Sequence, residues 1–217
     1  MCHDVDMRVD HVSYAAEHDG LHATAERLAT VIGVTPVDGG VHPRFGTRNV
    51  ILPLVGDRYV EVVEVLDHPA SDKAPFGQAV RARSENGGGW LGWVVQVDDM
   101  GEVEQRLTRQ ATEGHRRTPD GRELRWRQLG VKGLLCDPQL PFYVTWDADA
   151  RHPSTDGPSD VSLAGLTIAG DPMRVRRWLG VEPDYVPSTL EFSFVAPHGT
   201  PGILSVSFDG PDGRVTV

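Results

Sequence analysis

The sequence has little of what marks a secreted or membrane-bound protein. Two of its 217 residues are cysteines, Cys2 and Cys136, so no structural disulfide is expected and a reducing cytoplasm is the expected setting. No apolar run approaches the roughly 18 residues that a membrane-spanning helix needs. The first residues, MCHDVDMRVD, are acidic and polar, unlike a secretory signal. These features predict a cytoplasmic protein without a membrane partner.

Basic residues are scarce relative to acidic ones. Lys and Arg together number 21, Asp and Glu number 31, and the formal net charge is −10 at pH 7. A nucleic-acid partner requires a basic stripe that neutralises phosphates, and none stands out. The most basic stretch, Arg116–Arg127, is interrupted by Pro, Asp and Glu and is expected to be a solvated hairpin. Neither a phosphate-binding glycine loop nor a G-x-S-x-G nucleophile motif is present.

One order of elements recurs along the chain. In the first copy, a strand over Arg8–Ala16 precedes a helix over Leu21–Ile32, whose apolar residues recur at three- and four-residue spacing. Two strands follow, Thr47–Leu54 and Arg58–Val65. This order of strand, helix and further strands predicts an α+β unit.

Two further copies are expected downstream. The second has a strand over Trp90–Val97 and a helix over Asp99–Arg109, and the third has a strand over Leu163–Ala169 and a helix that begins at Asp171. Other segments are expected to be extended: Glu123–Gln128, Gly133–Cys136, Pro141–Trp146, Thr189–Ala196, Gly202–Asp209 and Arg214–Val217. The predicted units are 1–88 with a connector, 89–156 and 157–217.

His11 and Glu61 are the first candidates for chemistry. His and Glu are divalent-metal ligands, and two ligands on neighbouring strands of a curved sheet could share a cation. Strand alternation places Glu61 and Glu64 on opposite faces, so only one of them can face an interior. A different interpretation needs no metal. A His11 ring held by a hydrogen bond, and a Glu paired with Arg48 or Arg58, would be equally consistent with this sequence pattern.

The segment His42–Leu54, HPRFGTRNVILPL, is the most distinctive motif. Gly46 permits a sharp entry into a strand, on which Thr47 and Asn49 share a face. The Asn side chain carries donors and an acceptor, so Asn49 suits a ligand with a carbonyl or carboxylate group. The two side chains could equally satisfy backbone groups at a bend.

Cationic and aromatic side chains supply further candidates. Arg125 and Arg127 alternate around a Trp and share one strand face. Inside a cavity they could grip an anion, with Arg48 as a third candidate; on an outer face they would be solvated. Trp93 could belong to an aromatic wall for a planar ligand, although each Trp could simply be core. The other members of that wall would be Trp90, Trp126 and Trp146.

The His in DHV, the Glu in YVEV and the H-x-x-x-G-T-x-N pattern together resemble the vicinal oxygen chelate superfamily. Within it, the sequence is most similar to the glyoxalase-like domain proteins. The resemblance implies two βαβββ units whose curled sheets surround one cavity. The third C-terminal unit is surplus and could cap the cavity, extend the sheet or mediate dimerisation.

The resemblance also implies a way to hold a metal. Family members with a metal take one ligand from the first strand and one from the last strand of each paired unit. His11 and Glu61 fill both places in the first copy, whereas the matching strands of the second copy offer no His or carboxylate. His42 is the best source of a third ligand, ahead of His68, His152 or a second subunit. The implied cofactor is a divalent ion such as Zn, Fe, Mn, Ni or Mg.

The resulting hypothesis is a cytoplasmic lyase, isomerase or dioxygenase that acts on a small oxygen-bearing metabolite. Glu61 would bind the metal or move a proton from the carbon next to a carbonyl. The anionic group of a substrate would be held by arginines. The alternative is a non-catalytic protein that sequesters a small molecule, as bleomycin-resistance members of the superfamily do. A homodimer is an open possibility in both cases.

Overall fold

The computed structural model describes residues 7–181, 190–196 and 198–217. The first unit has the expected order of a strand, a helix and further strands. Its elements are β1 (Met7–Ala15), α1 (Leu21–Ile32), β2 (Val37–His42), β3 (Thr47–Leu54) and β4 (Arg58–Val65). Helix α1 has the predicted bounds, and it ends at Gly33, whose φ of 85° places it in the left-handed conformation common after helices.

The second unit follows two short connecting helices. These helices are α2 (Pro69–Lys73) and α3 (Pro75–Glu85). The unit itself consists of β5 (Gly89–Val97), α4 (Met100–Leu107), β6 (Thr112–Arg117), β7 (Glu123–Leu129), α5 (Gly133–Cys136) and β8 (Phe142–Trp146).

The strands of these two units close into a barrel. Their order is β1-β4-β3-β2-β6-β7-β8-β5. Strand β1 pairs in parallel with β4 and in antiparallel with β5, so it joins the two units on one side, while β2 and β6 join them on the other. Side chains along each strand alternate between the interior and the outer face. The expected arrangement of two curled sheets around one cavity is confirmed.

The C-terminal unit forms a sheet of its own. After a short 3₁₀ turn at Pro153–Asp156, its elements are β9 (Ser162–Ala169), α6 (Pro172–Leu179), β10 (Glu191–Val195), β11 (Gly202–Gly210) and β12 (Gly213–Thr216). The sheet order is β10-β9-β11-β12. In the barrel units the first strand pairs with the last strand of its own unit, whereas β9 lies between β10 and β11. The third unit therefore repeats the order of elements but not the pairing.

This third sheet packs against the outside of the barrel, where β11 lies over β5. The Trp93 ring lies 5.3 Å from the Phe192 ring, centroid to centroid. The Trp90 indole nitrogen donates to the Val217 carbonyl oxygen at 3.0 Å. The described part of the third unit thus covers apolar barrel surface rather than the pocket.

Some local expectations were wrong. Gly133–Cys136 is a helical turn and not an extended segment. The turn brings Leu134 over Gly92, where a Cβ would lie 2.3 Å from Leu134 Cδ2. A four-residue apolar run does not distinguish helix from strand, so packing decides. Only the last two residues of strand β6 fall within the predicted hairpin Arg116–Arg127. The polar sequence of β6, TEGHRR, lacks a strand pattern, and the strand is held by pairing with β7. Part of the expected segment Thr189–Ala196 lies outside the described residues.

Within the described ranges, no helix is both long enough and apolar enough to cross a membrane.

Candidate functional site

A pocket opens into the barrel, with aromatic rings on its walls and a small group of polar side chains. It contains about 440 Å³ of space between atoms, including the open solvent at its mouth. Its rings are Phe45, Tyr59, Phe76, Trp126, Phe142 and Trp146. Its polar side chains are His11, His42, Asn49, Glu61, Arg116 and Gln128. A mostly apolar pocket with a few convergent polar groups is typical of a small-molecule site.

Glu61 lies among these polar groups, buried with 5% of its surface exposed. The Ser13 hydroxyl, on the neighbouring parallel strand β1, donates to Glu61 Oε2 at 3.0 Å. The Asn49 amide nitrogen, on β3, donates to Glu61 Oε1 at 2.8 Å. The carboxylate is therefore fixed in orientation by two strands. Glu64, which was expected to face away from Glu61, pairs with Arg48 instead.

His11 reaches the pocket with its ring already anchored. Its Nδ1 lies 2.6 Å from Asp10 Oδ1, and its Nε2 lies 3.9 Å from Glu61 Oε2. An ionised carboxylate can only accept, so Nδ1 carries the hydrogen. When the ring is neutral, Nε2 therefore presents a lone pair to the pocket.

A β-bulge makes the contact between Asp10 and His11 possible. Adjacent strand residues normally point to opposite faces. Here Val9 pairs with Val95 and His11 with Val94, which leaves Asp10 as the extra residue of β1. Bulges of this kind redirect side chains and are frequent beside active sites.

Asp10 is fully buried and accepts hydrogen bonds at both carboxylate oxygens. His152 Nε2 and Trp146 Nε1 donate to Oδ2 at 3.0 and 3.1 Å. Burial would raise the pKa of the Asp10 carboxyl, but hydrogen bonds from His11 and His152 outweigh burial and hold this pKa well below its ordinary range. Asp10 is consequently a permanent negative charge behind His11.

His42 lies on the other side of the Glu61 carboxylate. Its Nε2 is 3.8 Å from Glu61 Oε1, and its Nδ1 is 2.9 Å from the Thr47 hydroxyl. Burial lowers the pKa of His42 to about 4, even though Glu61 acts to raise it. The imidazole is therefore neutral at pH 7.

The buried neutral state of His42 predicts a pH-dependent stability. In the unfolded chain a His protonates near its ordinary pKa of 6.5, while folded His42 resists protonation until about pH 4. The free energy of unfolding should therefore fall between these values, by about 2 kcal/mol from His42 alone at about pH 5. Urea unfolding at about pH 7.5 and about pH 5 measures this, and His42→Gln should reduce the difference. His22→Gln is the exposed control; equal pH dependence in all three proteins would contradict the prediction.

Asn49 can approach Glu61 because a glycine stands opposite. A Cβ on Gly39 would lie 2.2 Å from Asn49 Oδ1 and 2.8 Å from an Arg116 terminal nitrogen. Gly39 is also the bulge residue of β2, between the paired positions Asp38 and Gly40. Any larger residue at position 39 would displace the amide that orients Glu61.

Arg116 is a pocket residue that sequence reasoning missed. The stretch Arg116–Arg127 does form the expected β6–β7 hairpin, but Arg116 itself is buried, with 2% of its surface exposed. Its guanidinium lies 3.3 Å from the Asp156 carboxylate. A buried guanidinium adds a fixed positive charge to one wall of the pocket.

The other predicted binding residues lie away from the pocket lining. Arg48, Arg125 and Arg127 are half-exposed or exposed, and they pair with Glu64, Glu123 and Glu104 respectively. On β7, Leu124, Trp126 and Gln128 point inward, so the intervening arginines point outward. Of the two arrangements considered from the sequence, Arg125 and Arg127 therefore have the one in which they lie on the outer face and are solvated.

Trp93 is also outside the pocket. It is buried against the C-terminal sheet, and its indole nitrogen donates to the Gln139 carbonyl oxygen at 2.9 Å. Because strand alternation turns Val94 inward beside His11, it turns Trp93 outward. Trp126 and Trp146 do line the pocket.

The donor atoms around Glu61 have the chemistry of a metal site but not its arrangement. Two imidazoles anchored at Nδ1 and a carboxylate would suit a divalent ion. Both Glu61 oxygens also accept hydrogen bonds, from Ser13 and Asn49, and such bonds are compatible with metal binding. Across the ranges that the structure describes, no three His, Cys, Asp or Glu side chains are placed to hold one ion. The residues present do not fit the implied metal in this arrangement.

The structure brings four of the predicted site residues, His11, His42, Asn49 and Glu61, together in the lining of one pocket. Sequence reasoning missed Asp10 and Arg116, named His152 only as a lesser alternative to His42 as a metal ligand, and gave Ser13 no role although it placed Ser13 on the face of His11. A role for Ser13 could have been inferred, since strand alternation puts it on the same face as His11. The partnership of Asp10 had no local signal, because a bulge overrides alternation.

The comparisons with known proteins agree with this architecture. A family model described as a glyoxalase-like domain matches residues 9–181. A hypothetical protein from Staphylococcus aureus has 15% identity and a TM-score of 0.63, with 87% of this chain and 84% of that chain covered. Methylmalonyl-CoA epimerase from Mycobacterium tuberculosis has 17% identity and a TM-score of 0.44, with 67% and 91% covered. A comparison with curated proteins finds no match.

At 15% identity, the Staphylococcus aureus structure indicates the fold alone. The family model spans both barrel units and continues into the C-terminal unit. The chain belongs to the glyoxalase-like domain family.

Proposed function

We propose that the protein is an enzyme that moves a proton at a carbon next to a carbonyl group of a small molecule in this pocket. The main support is the buried Glu61 carboxylate, which two hydrogen bonds hold in place. The Nε2 atoms of His42 and His11 lie 3.8 and 3.9 Å from its oxygens. A positioned carboxylate in a largely apolar pocket is suited to general-base catalysis. The reaction class is that of an isomerase or lyase.

Glu61 is the proposed base that takes the proton from carbon. Removal of this proton leaves negative charge on the carbonyl oxygen. Arg116 contributes its positive charge to the same pocket and would stabilise that oxygen. Neutral His42 would donate from Nε2 to the oxygen in the tautomer whose Nδ1 accepts from Thr47.

His11 is the proposed second acid–base group. Its Nε2 lone pair is 3.9 Å from Glu61 Oε2 and can receive a proton that Glu61 has taken up. The ionised Asp10 behind the ring stabilises the resulting imidazolium. Two acid–base groups would allow the proton to return at a different atom, as an isomerisation requires.

The proposed substrate is a small oxygen-bearing metabolite with an apolar portion. The six aromatic rings of the pocket favour contact with apolar or planar parts of a ligand. If the substrate carries an anionic group, Arg116 would bind it, rather than the outward-facing Arg48, Arg125 and Arg127. All of these lining residues come from one chain, so the proposal does not require a homodimer. The proposed setting is the cytoplasm, where the exposed free thiol of Cys136 would stay reduced.

The same aromatic wall favours a second candidate function, the sequestering of a small molecule without turnover. Rings on several strands could enclose a planar ligand with no chemical step. In that case Glu61 and the two histidines would serve only as hydrogen-bonding groups.

A deuterium-exchange screen tests the proposed function. The full chain is incubated in D₂O with 2-hydroxy ketones, 2-oxo acids and 2-hydroxy acids, and proton NMR follows the hydrogen next to the carbonyl or carboxyl group. We expect catalysed exchange in at least one class, which persists after dialysis against EDTA because no step runs through a metal. Exchange that stops with EDTA and returns with a divalent ion would overturn the metal-free assignment. Ligand binding without exchange would support sequestering.

A further inference from the structure

His152 lies outside the barrel strands, in the segment that leads to the third unit, yet its ring reaches the pocket wall. The ring centroid is 5.6 Å from the Tyr59 ring and 5.6 Å from the Trp146 ring, and both rings line the pocket. Its side chain is 14% exposed. A residue of the linker is therefore packed against the site.

The two nitrogens of His152 have separate partners. Nδ1 accepts from the Ser154 backbone nitrogen at 3.3 Å, which caps the 3₁₀ turn. Nε2 lies 3.0 Å from Asp10 Oδ2, and because a carboxylate accepts, Nε2 must donate. Both contacts are satisfied by one neutral tautomer.

A comparison within the chain separates the role in capping from the role at Asp10. His68 stands at the matching place after the first unit, in the same His-Pro sequence, and its Nδ1 accepts from the Ala70 backbone nitrogen at 3.1 Å. Capping therefore accounts for Nδ1 in both residues. It does not account for the contact of His152 with the buried Asp10.

The Asp10 carboxylate thus connects two imidazoles. Oδ1 accepts from His11 at 2.6 Å, while Oδ2 accepts from His152 and from Trp146. Donors on both sides prevent rotation of the carboxylate about its bond to Cβ. A fixed carboxylate holds the His11 ring in one orientation and one tautomer.

We propose that His152 is a positioning residue that locks Asp10 and thereby the pocket nitrogen of His11. The inference rests on the proposed function for its consequence in catalysis, but the positioning itself is independent of any substrate. The opposite end of the same segment carries Asp156, which contacts Arg116 at 3.3 Å. The linker 152–156 therefore positions two groups of the pocket from outside the barrel.

The test compares His152→Ala with His152→Gln and with the control His68→Ala. In the wild type, the His11 Nδ1 hydrogen should give a far-downfield proton NMR signal, as short charge-assisted hydrogen bonds do. His152→Ala should shift this signal upfield or broaden it, and should slow the deuterium exchange about tenfold. The Gln variant, whose amide can donate to Asp10, should restore most of both.

His68→Ala removes an equivalent turn cap and should change neither readout. If His152→Ala lowers only the thermal stability and leaves the His11 signal in place, the residue is merely structural and the proposal is overturned. If His152→Ala unfolds the chain, a Gln variant with an altered His11 signal would also overturn it. A His11 signal that responds as expected, in a protein without any catalysed exchange, would leave the positioning intact and contradict the proposed function.

Discussion

Glu61→Gln is expected to reduce the catalysed deuterium exchange by a factor on the order of 10² to 10⁴. Gln has nearly the same shape as Glu and can keep contact with Ser13 and Asn49, but it cannot take up a proton from carbon. The loss should therefore appear in kcat, while KM changes little. Rates from proton NMR at several substrate concentrations measure both quantities.

Glu64→Gln is the matched control, because it makes the same change on the same strand. Glu64 pairs with Arg48 on the outer side of the barrel and does not line the pocket. The exchange rate of the Glu64→Gln variant should equal that of the wild type. Equal activity in the Glu61 and Glu64 variants would remove Glu61 from the proposed role of base.

Asp10→Asn is expected to slow the exchange by about 10²-fold or more, although Asp10 does not line the pocket. The carboxylate requires a hydrogen on His11 Nδ1, whereas an amide can offer its own N–H to that nitrogen. The hydrogen of the neutral ring would then move to Nε2, and the pocket would lose its lone pair. Nitrogen-15 NMR of the His11 ring can identify the tautomer.

The same substitution should also lower stability at neutral pH. Because the folded pKa of Asp10 lies below its ordinary value, its ionised form stabilises the fold above that ordinary value. This contribution is lost as the pH falls toward the folded pKa, and Asp10→Asn should abolish it. Asp57→Asn, in the exposed β3–β4 turn, is the control for a change of Asp to Asn. A variant at Asp10 with wild-type exchange and an unchanged His11 tautomer would contradict the prediction.

Much of the fold followed from local patterns. The apolar stripe of α1 and the glycine that ends it specified a helix with correct bounds. The strand-forming residues around His11 and Glu61 predicted that the two lie on neighbouring strands, and β1 and β4 are indeed paired. Alternation along β4 put Glu61 and Glu64 on opposite faces, and the family resemblance favoured Glu61 as the inward carboxylate, which is where the structure places it.

It was harder to predict which face of a strand points into the barrel where the residues on both faces are equally suited to the interior. Arg125 and Arg127 share a face, but nothing in the sequence said whether that face was inside or outside. Trp93 had the same ambiguity, since the barrel interior and the C-terminal sheet both accept a large ring. Arg116 seemed a solvated hairpin residue, whereas the Asp156 carboxylate and the Gly39 bulge make room for it inside.

The amino-acid sequence by itself indicated the order of strands and helices in the barrel units, because periodicity and strand alternation are properties of neighbours in the chain. Its motifs, through their resemblance to a known family, pointed to four of the polar residues that meet in the pocket. Only the tertiary structure decided that Asp10 supports His11, that Arg116 is buried and that His152 reaches the site from the linker. The reason is that a bulge and contacts between positions 142 residues apart depend on how strands pair and pack.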